Sequence, residues 1–336
     1  MIDYLLQYGL FLAKTATLVI AVLFVLAMIA NMRRHLREHM EEQIEIKHLN
    51  RRYEHMADAL NHELLNAHEL KALHKQKKNE AKQQKKAAKL GKAEQRKRLF
   101  VLNFDGDIRA SAVDDLREEI SAVLQVAGAE DEVLVRLESP GGMVHGYGLA
   151  ASQLRRIRDA GVKLTASVDK VAASGGYMMA CVADRIIAAP FAVIGSIGVV
   201  AQLPNFNRLL KKHDIDFEQH TAGEFKRTLT VFGENTDAAR EKFREELEET
   251  HQLFKHFVQD NRPQVEIDKV ATGEHWYGAQ AVSRRLVDEL KTSDDYLLEA
   301  SKDRDLYSIH YKAHKSLQQK IMGGLGELSE RLRSSF

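Results

Sequence analysis

Apolar and polar positions divide the chain into three zones. Residues 10–30 read LFLAKTATLVIAVLFVLAMIA, with Lys14 the single charge. As a helix rising 1.5 Å per residue, this run is about 31 Å long, the thickness of a bilayer's hydrocarbon core. It has no polar face, unlike a helix packed on a soluble core. It is also long for a signal peptide, and no basic group precedes it. The pattern predicts a retained anchor in residues 1–32, spanning the lipid bilayer at about 10–30.

Residues 33–98 change character. Glu, Lys, Gln, Ala and Leu dominate, Pro is missing, and the first Gly is Gly91. Such composition favours local helix, so a charged, largely helical linker is expected. His35 and His39 stand four apart but lack an HExxH pattern or an acidic partner set, so no metal site is expected.

From Leu99 onward strand and helix signals alternate. Residues 99–104 form a short apolar strand closed by Asp105-Gly106. Ser111 is placed to cap a helix with Val113, Leu116, Ile120, Val123 and Leu124 on one face. Residues 133–137 and 162–168 read as further strands, separated by a helix carrying Tyr147, Ala150, Leu154 and Ile157. Residues 185–189 read as a fourth strand. The apolar run 186–203 contains Pro190, Gly195, Ser196 and Gly198, which marks core strands and a turn rather than a second span. The expectation is an α/β domain over 99–290, with helices on a largely parallel sheet, followed by a tail at 291–336.

Composition sharpens this picture in two ways. The single cysteine, Cys181, excludes a disulfide framework or a cysteine-built zinc site. The net charge of +1 is segregated: residues 71–98 hold twelve basic groups against Glu80 and Glu94, a net +10. No aromatic residue interleaves with the lysines of 75–98 before Leu99, so nucleic acid is not an expected partner.

Chemistry is suggested where glycine pairs follow strands. Gly141-Gly142 comes directly after the strand at 133–137, where bare N–H groups can approach a ligand closely. Gly175-Gly176 follows Ser174, and an apolar run suited to a buried helix comes next. Ser174 thus sits near a helix N-terminus, either as a nucleophile or as a simple N-cap. A serine nucleophile needs a base. His145, His213, His220 and a lysine such as Lys226 are all candidates, and a lysine base has to be buried to shed its proton near neutral pH.

Taken together, Ser139-Pro140-Gly141-Gly142, Ala173-Ser174-Gly175-Gly176-Tyr177, the Gly195-to-Val199 stretch GSIGV and Gly223-Glu224-Phe225-Lys226 resemble the signal peptide peptidase A family of serine–lysine peptidases. The stretch from Ala271 to Gly278 and Leu286-Val287-Asp288 extends the resemblance over about 99–290. The anchor and linker make the chain most similar to the SohB branch. The resemblance implies a ClpP/crotonase-like fold and a membrane-bound serine endopeptidase without cofactor. It further implies Ser174 as nucleophile, Lys226 as general base, an oxyanion hole from Gly175 and Gly142, and Ser196 as the hydroxyl that orients Lys226. The implied substrates are signal-peptide remnants or other apolar peptides. A homo-oligomer that shares the dyad between protomers is implied as well.

Two positions depart from the family pattern: Arg227 follows the lysine where an acidic residue is common, and Arg285 replaces a Gly, at the expense of a helix stop. The resemblance implies a bacterial inner-membrane location with the catalytic domain facing away from the cytoplasm. Arg33, Arg34 and Arg37 just after the span favour the opposite side. Acyl-CoA-type hydrolysis on the same fold and a non-catalytic membrane-tethered scaffold are the competing functions.

Overall fold

The computed structural model describes residues 9–10, 12, 14–25, 28, 43–89, 96–223 and 225–312. Residues 14–25 are helical, and their apolar side chains are exposed. Among the described residues no helix is long and apolar enough to cross a membrane. The expected span 10–30 lies partly outside the described residues, as do His35, His39 and everything beyond Lys312.

The described part of the expected linker begins with a strand at 43–48 and is otherwise mostly helical. In chain order come β1 (Gln43–His48), α1 (Leu49–Leu64), α2 (Ala67–Lys89), β2 (Arg98–Asp105), α3 (Val113–Leu124), β3 (Glu132–Glu138), α4 (Val144–Asp159) and β4 (Lys163–Val168). The short elements β5 (Val171–Ala173), α5 (Gly175–Ala180), β6 (Arg185–Ala188), β7 (Val193–Gly195) and α6 (Asn207–Lys212) follow. The chain continues through α7 (Asp237–Asn261), α8 (Ile267–Val270), β8 (His275–Tyr277), α9 (Gly278–Ser283), β9 (Glu289–Leu290), α10 (Ser293–Ala300) and β10 (Asp305–Lys312). Ser111 does not cap α3. Its Oγ donates to Asp107 Oδ2 at 2.8 Å, and the helix starts after Ala112.

Seven strands form one sheet in the order β1-β10-β2-β3-β4-β6-β9, and every pairing from β10 to β9 is parallel. A parallel sheet is buried on both faces, and the period of two along β2 shows it. Phe100, Leu102 and Phe104 join the core built with α3, α4 and α5. Leu99 and Val101 join a second core with Leu134, Ile187, Tyr296, Leu297, Ala300 and Leu306, against which Leu49 and Tyr53 pack.

That second core corrects both expected domain boundaries. Residues 291–312 are no tail, because α10 covers the sheet and β10 pairs beside β2. At the other end, Asn50 binds the same C-terminal segment. Its Nδ2 donates to the carbonyls of Ser301 (3.1 Å) and Arg304 (2.8 Å), and its Oδ1 accepts from Leu306 N (2.7 Å).

The helix stop after α9 is also retained. Arg285 takes the left-handed conformation (φ 59°), Leu286 N donates to Ala281 O at 3.0 Å, and Arg285 N donates to Val282 O at 2.9 Å. This is the hydrogen-bond pattern that a glycine normally closes. Just beyond it, Asp288 accepts from Arg262 at 2.6 and 2.9 Å and from Ile186 N at 2.7 Å, tying the end of α7 to β6.

Glu132 is the most deeply buried acid of the second core, at 2% exposure. Burial alone would raise its pKa, but hydrogen bonds from Thr165 Oγ1 (2.5 Å), Tyr296 OH (2.5 Å) and the Arg304 guanidinium outweigh it and hold the carboxyl below its ordinary value. A depressed folded-state pKa adds stability that is complete above the unfolded value of 4.5 and is lost as pH falls below it. Glu132→Gln should therefore lower stability by roughly 2–3 kcal/mol at pH 7, a buried-pair figure reduced because Arg304 is partly exposed. In urea unfolding, its difference from the wild type should shrink progressively below about pH 4.5. Arg285→Gly should act in the other direction and raise stability by about 1 kcal/mol, since glycine takes this backbone conformation without a Cβ clash.

Candidate active site

The register of two three-residue strands sets the site. β5 and β7 are parallel, with Ala173 opposite Gly195. The residues that follow, Ser174 and Ser196, therefore emerge side by side, each at φ 51°. Ser174 N donates to Gly195 O at 2.7 Å and Ser196 N to Glu274 O at 2.7 Å, which locks both turns. Positive φ at a non-glycine residue is strained and is found where the surrounding structure enforces it. A serine on a sharp strand-to-helix turn presents its hydroxyl outward. The Ser174 side chain makes no capping bond to α5, so N-capping does not account for it.

The loop after β3 is held against this turn. Ser139 pairs with Ala172 in a parallel bridge: Ser139 N donates to Val171 O (2.9 Å) and Ala173 N to Ser139 O (3.0 Å). Two close approaches then require glycine. A Cβ on Gly142 would lie 2.1 Å from Ile108 O, and one on Gly175 would lie 2.3 Å from Tyr147 Cγ. Neither Gly142 N–H nor Gly175 N–H bonds to another described residue. Ser174, Gly142 and Gly175 line one cavity of about 80 Å³ together with Val144, Met178, Val200, Thr250 and Phe254.

A wider cleft of about 540 Å³ is lined by Ser174, Ser196, Gly142 and His251 among others. Two free N–H groups beside a strained serine hydroxyl form an arrangement able to accept a carbonyl oxygen that gains charge. Cys181 offers no rival nucleophile: it is fully buried, and burial raises its thiol pKa.

Lys226 stands elsewhere. It is exposed and lines a separate cavity with His220, Phe217, Leu229 and Phe232. None of the cavities described holds both Ser174 and Lys226. Every described residue from 201 to 236 is at least partly exposed, including Phe225 and Phe232. His145, His213 and His220 are exposed, and none lines the Ser174 cavities.

The histidine that does border the cleft is His251, whose Nε2 is buried without a hydrogen-bond partner among the described residues. Sequence reasoning missed it because α7 reads as a charged helix. Its spacing to the buried Phe254 and Val258 (i, i+3, i+7) was the available signal.

The chain matches the descriptions "Peptidase family S49 N-terminal" over residues 3–154 and "Peptidase family S49" over residues 156–307. It is 53% identical over 326 residues to the probable protease SohB of Haemophilus influenzae, covering 95% of this chain and 92% of that one. It is 50% identical over 303 residues to the probable protease SohB of Buchnera aphidicola subsp. Schlechtendalia chinensis, covering 88% and 99%. Among solved structures it is similar to a mutant of the 1510-N membrane-bound stomatin-specific protease in complex with a substrate peptide. That match covers 69% of this chain and 99% of the other, at 12% identity and a TM-score of 0.43. The chain therefore belongs to peptidase family S49, in the signal peptide peptidase A family and its SohB branch.

Proposed function

We propose that this chain is a membrane-anchored serine endopeptidase that cleaves apolar, membrane-associated peptides, such as signal-peptide remnants, through an acyl-enzyme on Ser174. The observation that carries the reading is the strained Ser174 turn flanked by the N–H groups of Gly142 and Gly175, which have no partner among the described residues. Ser174 Oγ attacks the scissile carbonyl carbon while the unprotonated amine of Lys226 takes the hydroxyl proton. The Gly142 and Gly175 N–H groups hold the oxyanion. The C–N bond breaks as Lys226 returns the proton to the leaving amine, and water then releases the acyl group. Ser196, beside Ser174, orients the lysine.

The 80 Å³ cavity has room for about two or three water molecules, hence for a small aliphatic side chain, and Val144, Met178 and Phe254 make it apolar. The exposed apolar helix at 14–25 supports anchoring in a bilayer.

A second copy of the chain completes the dyad. Lys226 sits among exposed Phe225, Phe232 and Leu203, an apolar surface that a neighbouring protomer covers. Docking of the 201–236 segment on the neighbour buries the lysine beside that neighbour's serine, in a head-to-tail arrangement that closes into a ring.

Detergent-purified full-length protein should cleave an apolar fluorogenic peptide, and Ser174→Ala and Lys226→Ala should each reduce kcat by roughly 10³-fold or more. Undiminished cleavage by Lys226→Ala would remove the lysine from the mechanism. Coexpressing the two inactive variants tests sharing. Random mixing leaves about a quarter of the sites with an intact serine and a neighbour's intact lysine, so about a quarter of wild-type activity should return. Zero recovery in a confirmed mixed oligomer would place both groups in one protomer.

A further inference from the structure

Tyr147 is fully buried in α4, and its hydroxyl sits in a chain of polar contacts beneath the Gly141-Gly142 loop. The Tyr147 hydroxyl donates to the Asp107 carbonyl at 2.7 Å and lies 2.5 Å from Ser139 Oγ. Ser139 Oγ in turn accepts from Gly141 N at 3.1 Å. The same side chain also supports the other glycine pair. Its ring lies so close to Gly175 that a Cβ there would stand 2.3 Å from Tyr147 Cγ and 2.7 Å from Tyr147 Cβ and Cδ2. One tyrosine thus touches Gly175 directly and reaches Gly142 through Ser139 and Gly141.

An oxyanion hole works through donors fixed before the reaction, and small displacements of either donor weaken it. A phenylalanine would fill the same apolar space, so the hydroxyl is not there for packing. Burial raises the pKa of the phenol, which keeps it protonated and able to donate.

We infer that Tyr147 is the positioning residue of the oxyanion hole, holding the Gly142 and Gly175 N–H groups in register through its hydroxyl and its ring. This rests on Ser174 being the peptidase nucleophile. Tyr147 touches neither substrate nor reacting atoms, so its effect falls on the transition state rather than on peptide binding.

The test uses full-length protein in detergent, with Tyr147→Phe, Ser139→Ala and the double variant. Tyr147→Phe should lower kcat about tenfold with KM within twofold, less than the 10²–10³ that follows deletion of a donor. The double variant should be no slower than the slower single variant, because both act through one chain of contacts. A peptide aldehyde, which adds to Ser174 to give a tetrahedral oxyanion, should bind Tyr147→Phe about tenfold more weakly. An uncleaved peptide should bind equally in the Ser174→Ala background with and without Tyr147→Phe.

Wild-type kinetics in Tyr147→Phe, or a rise in KM that accounts for the whole loss, would overturn the inference. So would an unchanged aldehyde affinity, which would mark a purely structural role. No cleavage and no aldehyde binding by the wild type would instead overturn the reading of Ser174 on which this one stands.

Discussion

The pairing of Ala173 with Gly195 is a contact between two strands of three residues each, and the site is arranged around it. Because the strands are parallel and in register, the residues after them leave at the same height, which puts Ser174 next to Ser196. The Ser139 bridge brings a third strand end to the same place. Three strand ends thus meet at one place, and the residues just past them, Ser139 to Met143, Ser174 and Ser196, lie outside regular elements. The sheets supply rigidity while the residues just past them supply chemistry, in keeping with the tendency of open α/β sheets to bind ligands beyond their strand ends.

Much of this was legible in the sequence, for identifiable reasons. Apolar strands buried on both faces announce themselves as continuous runs, and β2, β3 and β4 fall close to where the sequence predicts them. Ser174 stood out because a glycine pair follows it at the start of an apolar run, which marks a helix N-terminus, and the family resemblance then singled it out. The C-terminal strand was missed because DLYSIHYK has no continuous run; only Leu306 and Ile309 are buried. Its membership in the sheet depends on a face that α10 and α1 cover, which is tertiary information. Ser111 misled because a hydroxyl two residues before a helix can serve a neighbouring carboxylate as readily as the helix. Arg285 was a different case: the hydrogen-bond pattern of the stop is strong enough to impose a left-handed backbone on an arginine.

The candidate site was legible in part. The Ser174 turn and its glycines are local features, and local sequence specifies them. Lys226 is not local to Ser174 in any sense the fold makes visible, because it belongs to a segment in which no described residue is buried. The motif that marks it carries no packing signal. His251 is the converse, a residue with a clear place at the cleft but no motif around it.

The second core of the sheet has a consequence for how the chain is made. Leu99, Val101 and Leu134 leave the ribosome early, but Tyr296, Leu297 and Leu306, which cover them, come last. At bacterial and eukaryotic synthesis rates of about 5–20 residues per second, that interval is roughly 10–40 s. Throughout it the second face of the nascent sheet has only Leu49 and Tyr53 to pack against it. Vectorial synthesis therefore cannot complete the domain from its N-terminus, and the closing strand is inserted into the sheet only when translation of the domain ends.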